Sequence, residues 1–273
     1  MKTQTIDIEN LVIELGRWCN ANPPCKFCLR GQPQRNKKIS EKTLDLFFSQ
    51  VNCIGTLTIG GGESSCHLKE MRMMISSILK NNVEIQNFYI VTNGKVFRKE
   101  LIDICNLLYN SICTDNEISG LCVSDDYFHK KMHKSEQKFF YNKMRYYFET
   151  DEEEYADYKR PYVRDDKELK DDIRRNSIIN MGLAKKNNLG GRNLTIYLPY
   201  KEMWKDNLRV LDTELYLTYD GRLVCNCDLD YETIDSNKYT IGDIKNEKLE
   251  DILIKLPEED DEHEFEKFWR GEK

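Results

Sequence analysis

Leu11-Val12-Ile13-Glu14-Leu15-Gly16-Arg17-Trp18-Cys19-Asn20-Ala21-Asn22-Pro23-Pro24-Cys25-Lys26-Phe27-Cys28 changes character halfway along. Leu11–Leu15 is a short apolar run of the kind that makes a buried strand. Asn22-Pro23-Pro24 then forces a non-helical loop, because each proline lacks an N–H donor and restricts the residue before it. Three cysteines ride on that loop, spaced Cys19-x5-Cys25-x2-Cys28.

The same strand-then-loop pattern recurs downstream. Apolar runs stand at Thr56–Ile59, Phe88–Val91 and Leu121–Val123. Between them lie helix-period stretches at Ser40–Val51, Leu68–Leu79 and Val96–Leu108. Ser40 starts the first of these, with Glu41 a favourable first-turn charge. Strands alternating with amphipathic helices predict βα units on a parallel sheet, whose chemistry sits at the C-terminal strand ends. That rule selects Cys19, Cys25 and Cys28 after the first strand and Gly60-Gly61-Gly62-Glu63 after the second. Thr92-Asn93-Gly94 follows the third, and Ser124-Asp125-Asp126 the fourth.

Residues 127–188 read as helical and charged, with aromatic side chains at Phe139, Phe140, Tyr146, Tyr147 and Phe148; Thr150–Asp166 within them reads as a loop or lid. A further strand is expected at Leu194–Leu198. Leu215–Tyr219 and Arg222–Cys225 read as a β-hairpin around Asp220-Gly221, a pair suited to a type I′ turn. A short helix at Leu249–Leu256 and an acidic run from Glu258 to Glu264 close the chain. There is no internal repeat. The expected division is a core over residues 1–200 and a C-terminal extension over 201–273.

Composition narrows the function classes. With 40% hydrophobic and 11% aromatic residues among 273, the chain can bury a sizeable core. Its net charge of −6 is not the basic field of a dedicated nucleic-acid binder. Met1–Asn10 is polar, without the apolar stretch of a secretory signal, and no apolar run is long enough to span a membrane. The expected location is the reducing cytoplasm, where ten cysteines read as metal ligands or reactive thiols before disulfides.

Three thiolates from one loop match a four-iron cluster that leaves one iron without a protein ligand. A closed zinc site wants a fourth ligand, and no Cys or His follows Cys28 until Cys53. From the cysteines alone an iron–sulfur cluster, zinc and unrelated buried thiols all stay open.

With the other strand ends included, the first half of the chain resembles the radical S-adenosylmethionine (radical SAM) enzymes. Their motif has three cysteines with an aromatic residue before the last, and Phe27 stands there; their commonest first gap is three residues rather than five. Gly61-Gly62-Glu63 resembles the family's Gly-Gly-Glu element, with Ser64 where a proline is frequent. Glycines allow close backbone approach, and Glu63 offers a carboxylate to an ammonium. Asn93 stands at the family's third strand end, and Ser124 and Asp126 where members place polar groups near the SAM ribose and carboxylate.

The resemblance implies a partial (β/α)6 barrel of parallel strands, with a C-terminal extension containing the hairpin. It implies a [4Fe–4S] cluster on Cys19, Cys25 and Cys28, and SAM held by Phe27, Gly61, Gly62, Glu63, Asn93, Ser124 and Asp126. Reductive cleavage of SAM would yield a 5′-deoxyadenosyl radical that takes a hydrogen atom from the substrate. Partners would be an electron donor such as flavodoxin or ferredoxin and a peptide or small-molecule substrate, without membrane or nucleic acid. The hairpin with Cys225 and Cys227 loosely resembles the auxiliary-cluster extension of peptide-modifying members. That favours a peptide or protein side chain as substrate over a nucleotide or other small molecule, although too few cysteines are present for an auxiliary cluster. A non-catalytic iron–sulfur or zinc metalloprotein is the reading from a different class.

Two weaker signals take ordinary readings. Cys105 lies on the apolar stripe of its helix and belongs to the core. His129 and His133, four apart, are compatible with one helical face, but Lys130-Lys131-Met132 between them is not a metalloprotease pattern.

Overall fold

The computed structural model describes residues 5–116, 118–124, 127–144, 178–194, 196, 198–211 and 214–258. The first strand, β1 (Thr5–Glu14), is followed by a two-stranded pair, β2 (Gly16–Arg17) and β3 (Gln34–Lys38), that brackets the cysteine loop. Then come α1 (Glu41–Phe48), β4 (Cys53–Gly60), α2 (Leu68–Asn81), β5 (Glu84–Thr92), α3 (Lys99–Leu107), β6 (Gly120–Val123) and α4 (Tyr127–Met144). The expected strands and helices of this half are all present. Ser40 caps α1 as anticipated: the Thr43 N–H donates to its Oγ at 3.1 Å.

β1, β4, β5 and β6 pair in parallel in that order. On the other edge of β1 lie two strands from much later in the chain, β8 (Asn207–Leu211) and β9 (Leu215–Leu217), both parallel to it. Ile8 faces Val210 and Leu11 faces Leu215, so β8 lies along the first part of β1 and β9 along the later part. β7 (Tyr200–Trp204) adds to β8, and β10 (Arg222–Cys225) with β11 (Thr240–Asp243) adds to β9, all antiparallel. Three short helices complete the described chain: α5 (Gly182–Lys186), α6 (Tyr231–Asp235) and α7 (Leu249–Leu253). The result is a mixed α/β fold around a mostly parallel sheet.

The two faces of the sheet differ. Leu57, Ile59, Phe88 and Ile90 point to one side and pack with Phe47, Met71, Met74 and Leu101 of the helices. Thr56, Thr58, Tyr89 and Val91 alternate with them and are only half-buried. Beside these, the second face carries a smaller apolar cluster of Val12, Tyr216, Val224, Leu229, Tyr231 and Ile234. A parallel sheet with helices on one side and a less covered opposite face is consistent with a partial barrel.

Some expectations are corrected. The described residues of Leu194–Leu198 form no strand; the strand falls at Tyr200–Trp204, where it pairs with β8. The 215–225 segment does fold back antiparallel, but not through a type I′ turn, which needs positive φ at both central residues. Only Gly221 is left-handed, at φ +92°. The Gly221 N–H donates to Thr218 O, and the Asp220 carboxylate is held by Thr218 Oγ1 and the Arg222 guanidinium. His129 and His133 do not share a regular helical face, because α4 breaks at His133 (φ −133°, ψ 25°). Cys105 is buried in the core, as read. Tyr146, Tyr147, Phe148 and the Thr150–Asp166 segment lie outside the described residues.

Candidate functional site

Consecutive ends of the parallel strands converge on the start of the cysteine loop. The β4 end reaches it by backbone alone: the Gly62 N–H donates to Gly16 O at 2.8 Å and the Glu63 N–H to Trp18 O at 2.9 Å. This approach explains both glycines. A Cβ on Gly61, at φ +102°, would stand 2.3 Å from Gly16 O, and one on Gly62 would stand 2.0 Å from Trp18 O. No side chain fits there.

Glu63 then joins β4 to β5. It is 3% exposed. Its Oε1 accepts from the Ser65 N–H and the Thr92 hydroxyl, and its Oε2 from the Asn93 N–H at 2.8 Å. Asn93 passes the connection on. Its side-chain amide donates to Asn20 Oδ1 at 2.9 Å and to Cys19 Sγ at 3.8 Å, while Lys95 Nζ donates to Asn20 O at 3.1 Å. The chain Glu63–Asn93–Cys19 therefore fixes the first cysteine against two neighbouring strand ends.

The β6 end is tied in by a residue the sequence reading passed over. Gln137 of α4, 3% exposed, donates from Nε2 to both Asn93 O (3.0 Å) and Ser124 O (2.7 Å). The Ser124 N–H in turn donates to Thr92 O. Asp126 lies outside the described residues. Phe27 meets the His129 ring edge-on, centroids 4.9 Å apart, so the cysteine loop also touches α4.

The far side of the loop is held by the C-terminal half of the chain. The Leu183 N–H donates to Cys28 O, and Gly182 packs so closely that a Cβ would meet Leu29 O at 2.1 Å. Asp230 accepts from the Gly182 N–H and caps α6 through the Thr233 N–H. Arg30 donates to Leu229 O at 2.8 Å, and the Tyr231 N–H donates back to Arg30 O.

Cys19, Cys25 and Cys28 thus sit on one firmly anchored loop, with the Cys28 N–H donating to Cys25 O at 3.1 Å. Among the described residues no three Cys, His, Asp or Glu side chains are grouped so as to hold a metal ion. The donor set itself suits iron–sulfur ligation, being three thiols from one loop with no imidazole or carboxylate between them. Sequence reading left Cys66 unassigned; it follows Ser65, whose Oγ accepts from the Asn20 amide at 3.5 Å, and it lies within electrostatic reach of Cys19. Burial pushes the Cys19 thiol up to about 11 and the Cys66 thiol up to about 12, with the Glu63 carboxylate adding to both. Cys225 is buried on β10, whereas the Cys227 thiol donates to Glu214 Oε2 at 2.7 Å.

Glu63→Gln tests the junction directly. Every proton donor around the carboxylate points inward, so the new amide NH2 must face the Asn93 N–H or the pair from Ser65 and Thr92. A buried donor left without an acceptor costs about 1–3 kcal/mol. Urea unfolding should show a loss in that range; an unchanged midpoint would count against Glu63 as the junction.

No family model matches the chain, and no curated protein matches it. Among solved structures it is similar to anSMEcpe with bound AdoMet, at 10% identity and TM-score 0.49, over 90% of this chain and 80% of that one. The same protein with AdoMet and the Kp18Cys peptide aligns at 12% identity and TM-score 0.49, over the same shares. Streptococcus suis SuiB bound to S-adenosylmethionine aligns at 12% identity and TM-score 0.44, over 92% of this chain and 65% of that one.

Proposed function

We propose that the chain is a radical SAM enzyme. One observation carries the reading: the thiol loop, the Gly-Gly-Glu turn and the Asn93 strand end are one hydrogen-bonded assembly at the C-terminal edge of a parallel sheet. Cys19, Cys25 and Cys28 would hold a [4Fe–4S] cluster. Gly61-Gly62-Glu63, Asn93, Phe27, Ser124 and Asp126 would surround the SAM. When bound, that pair supplies a 5′-deoxyadenosyl radical that takes a hydrogen atom from substrate.

The protein's own part is positional. Glu63 and Asn93 set the height of Cys19, Gln137 fixes the β5 and β6 ends against each other, and the α5–α6 contacts close the Cys28 side. The less covered second face of the sheet is the place for substrate, which we read as a peptide or protein side chain before a nucleotide or other small molecule. The electron donor would be a flavodoxin or ferredoxin, and the compartment the cytoplasm.

Anaerobic reconstitution should give a brown protein with about four irons per chain. Dithionite with SAM should then release 5′-deoxyadenosine, measured by mass spectrometry. A protein that takes up only zinc, or never cleaves SAM, sinks the proposal.

Cys66 within electrostatic reach of Cys19 favours one competing reading, a four-thiol closed site with a structural metal. Cys66→Ser separates them. The radical SAM reading expects unchanged iron content and SAM cleavage, whereas a closed site would lose its metal.

A further inference from the structure

The second face of the sheet holds a buried polar cluster that the proposed chemistry leaves unused. Tyr216 on β9 stands alongside Val12 of β1 and is fully buried. Tyr231, at the start of α6, is 4% exposed. Neither phenol oxygen has a hydrogen-bond partner, and neither has Nη2 of the fully buried Arg17. The Arg17 guanidinium lies 4.4 Å from the Tyr231 ring centroid, and the Arg30 guanidinium 5.0 Å from that of Tyr216. Tyr216 lies in the field of Arg30, Glu14, Tyr231 and Arg17, and Tyr231 in that of Glu14, Arg30, Cys28 and Arg17.

Arg30 is the unbalanced member. Arg17 is neutralised by Glu14 at 2.7 Å and Asp235 at 2.9 Å. Arg30 donates to the Leu229 carbonyl and, among the described residues, has no carboxylate within ion-pair distance. A half-buried guanidinium beside three unpaired donors is a costly arrangement for a protein to keep without an anion. Such local cost is expected where a ligand supplies the missing acceptors.

We infer that Arg30, Arg17 Nη2 and the Tyr216 and Tyr231 hydroxyls form a binding site for a carboxylate of the substrate. Glu14 borders the same cluster, so a singly charged carboxylate suits it better than a phosphate dianion. The role as a substrate site rests on the radical SAM reading; the anion site does not. It would place an acidic group of the substrate next to Cys28, anchoring it while a neighbouring carbon reacts.

The test uses the full chain free of iron, so that failure of cluster assembly cannot mask it. N-acetylglycine should raise the melting temperature in a saturable way. N-acetylglycinamide, lacking the charge, should do nothing, and inorganic phosphate at matched ionic strength should act far more weakly. Tyr231→Phe and Tyr216→Phe should each weaken N-acetylglycine binding about tenfold, since a hydrogen bond to a charged group is lost. In the absence of ligand both variants should melt at or above the wild-type temperature, because each deletes a hydroxyl that has no partner. A lower melting temperature would mean the hydroxyl is structural, and equal effects of the acid and its amide would mean no carboxylate site; either overturns the inference. SAM cleavage, measured separately on the reconstituted chain, reports on the radical reading alone.

Discussion

Cys25→Ala should leave the reconstituted chain without its cluster. Iron is expected to fall from about four per chain to background, and 5′-deoxyadenosine formation with it. The effect is all-or-none because no spare donor stands nearby in the loop: Asn22, Pro23, Pro24, Lys26 and Phe27 offer no thiolate. Cys19 and Cys28 alone would give two ligands, one fewer than a site-differentiated cluster requires. The anchoring contacts of the loop use main-chain atoms or neighbouring side chains, at Gly16, Trp18, Asn20, Cys28 and Arg30, so the fold should survive the change. Circular dichroism and melting therefore serve as the control. Cys105→Ala is the matched comparison. It removes a buried thiol from the core behind the sheet and should cost about 1 kcal/mol of stability while leaving iron content unchanged. Full iron loading of Cys25→Ala would sink the three-thiol assignment.

The parts of this architecture that the sequence made legible are those governed by local pattern. β1, β4, β5 and β6 announce themselves as apolar runs, and Ser40 announces α1, because burial and capping act over a few residues. The strand ends then fall out by topology, which is why the sequence alone puts Glu63 and Asn93 at that edge. What was not legible depends on partners far along the chain. β7 and β8 are built from Tyr200–Trp204 and Asn207–Leu211, whose polar content hides a strand that exists only because β1 offers it an edge. Gln137 sits in a helix with no motif around it, and its value lies in reaching two carbonyls at once. Cys66 looks like an isolated thiol until the Gly-Gly-Glu turn brings its neighbour Ser65 to the Asn20 amide. Asp220-Gly221 misled in detail: Asp220 serves Thr218 and Arg222, and only Gly221 takes the left-handed conformation that a type I′ turn requires at both central residues. Arg17 is fully buried, yet nothing in its flanking sequence says that it is enclosed.

Arg17→Leu should destabilise the fold by about 3–5 kcal/mol. Arg17 and Glu14 are both 0% exposed and meet at 2.7 Å. The guanidinium also donates to both oxygens of Asp235 at 2.9 Å and lies between the rings of Tyr231 and Tyr219. The Asp235 contact is 43% exposed at its acidic end and contributes little by itself. Glu14 decides the outcome. Once Arg17 is gone, Glu14 keeps only the Tyr219 N–H at 3.1 Å, a single neutral donor for a fully buried carboxylate. Breaking one side of a buried ion pair costs about 3–5 kcal/mol, because the remaining charge is left uncompensated. Replacing both partners is a different matter. Glu14→Gln with Arg17→Leu removes the stranded charge, and the double variant should recover at least about 2 kcal/mol of the loss, a coupling within the range of contacting pairs. Glu14→Gln alone should be milder, since Arg17 retains Asp235 and its two rings. Urea denaturation of the four proteins in one buffer gives the cycle. Strict additivity, with the double variant as unstable as the sum of the singles, would mean that the pair is not the unit that holds this corner. The consequence extends to the site, because Arg17 lies one residue before Trp18, whose carbonyl accepts the Glu63 N–H. A chain that tolerates the double variant but no longer assembles its cluster would show that Arg17 orients the cysteine loop beyond neutralising Glu14; unchanged iron content in the double variant would confine its role to stability.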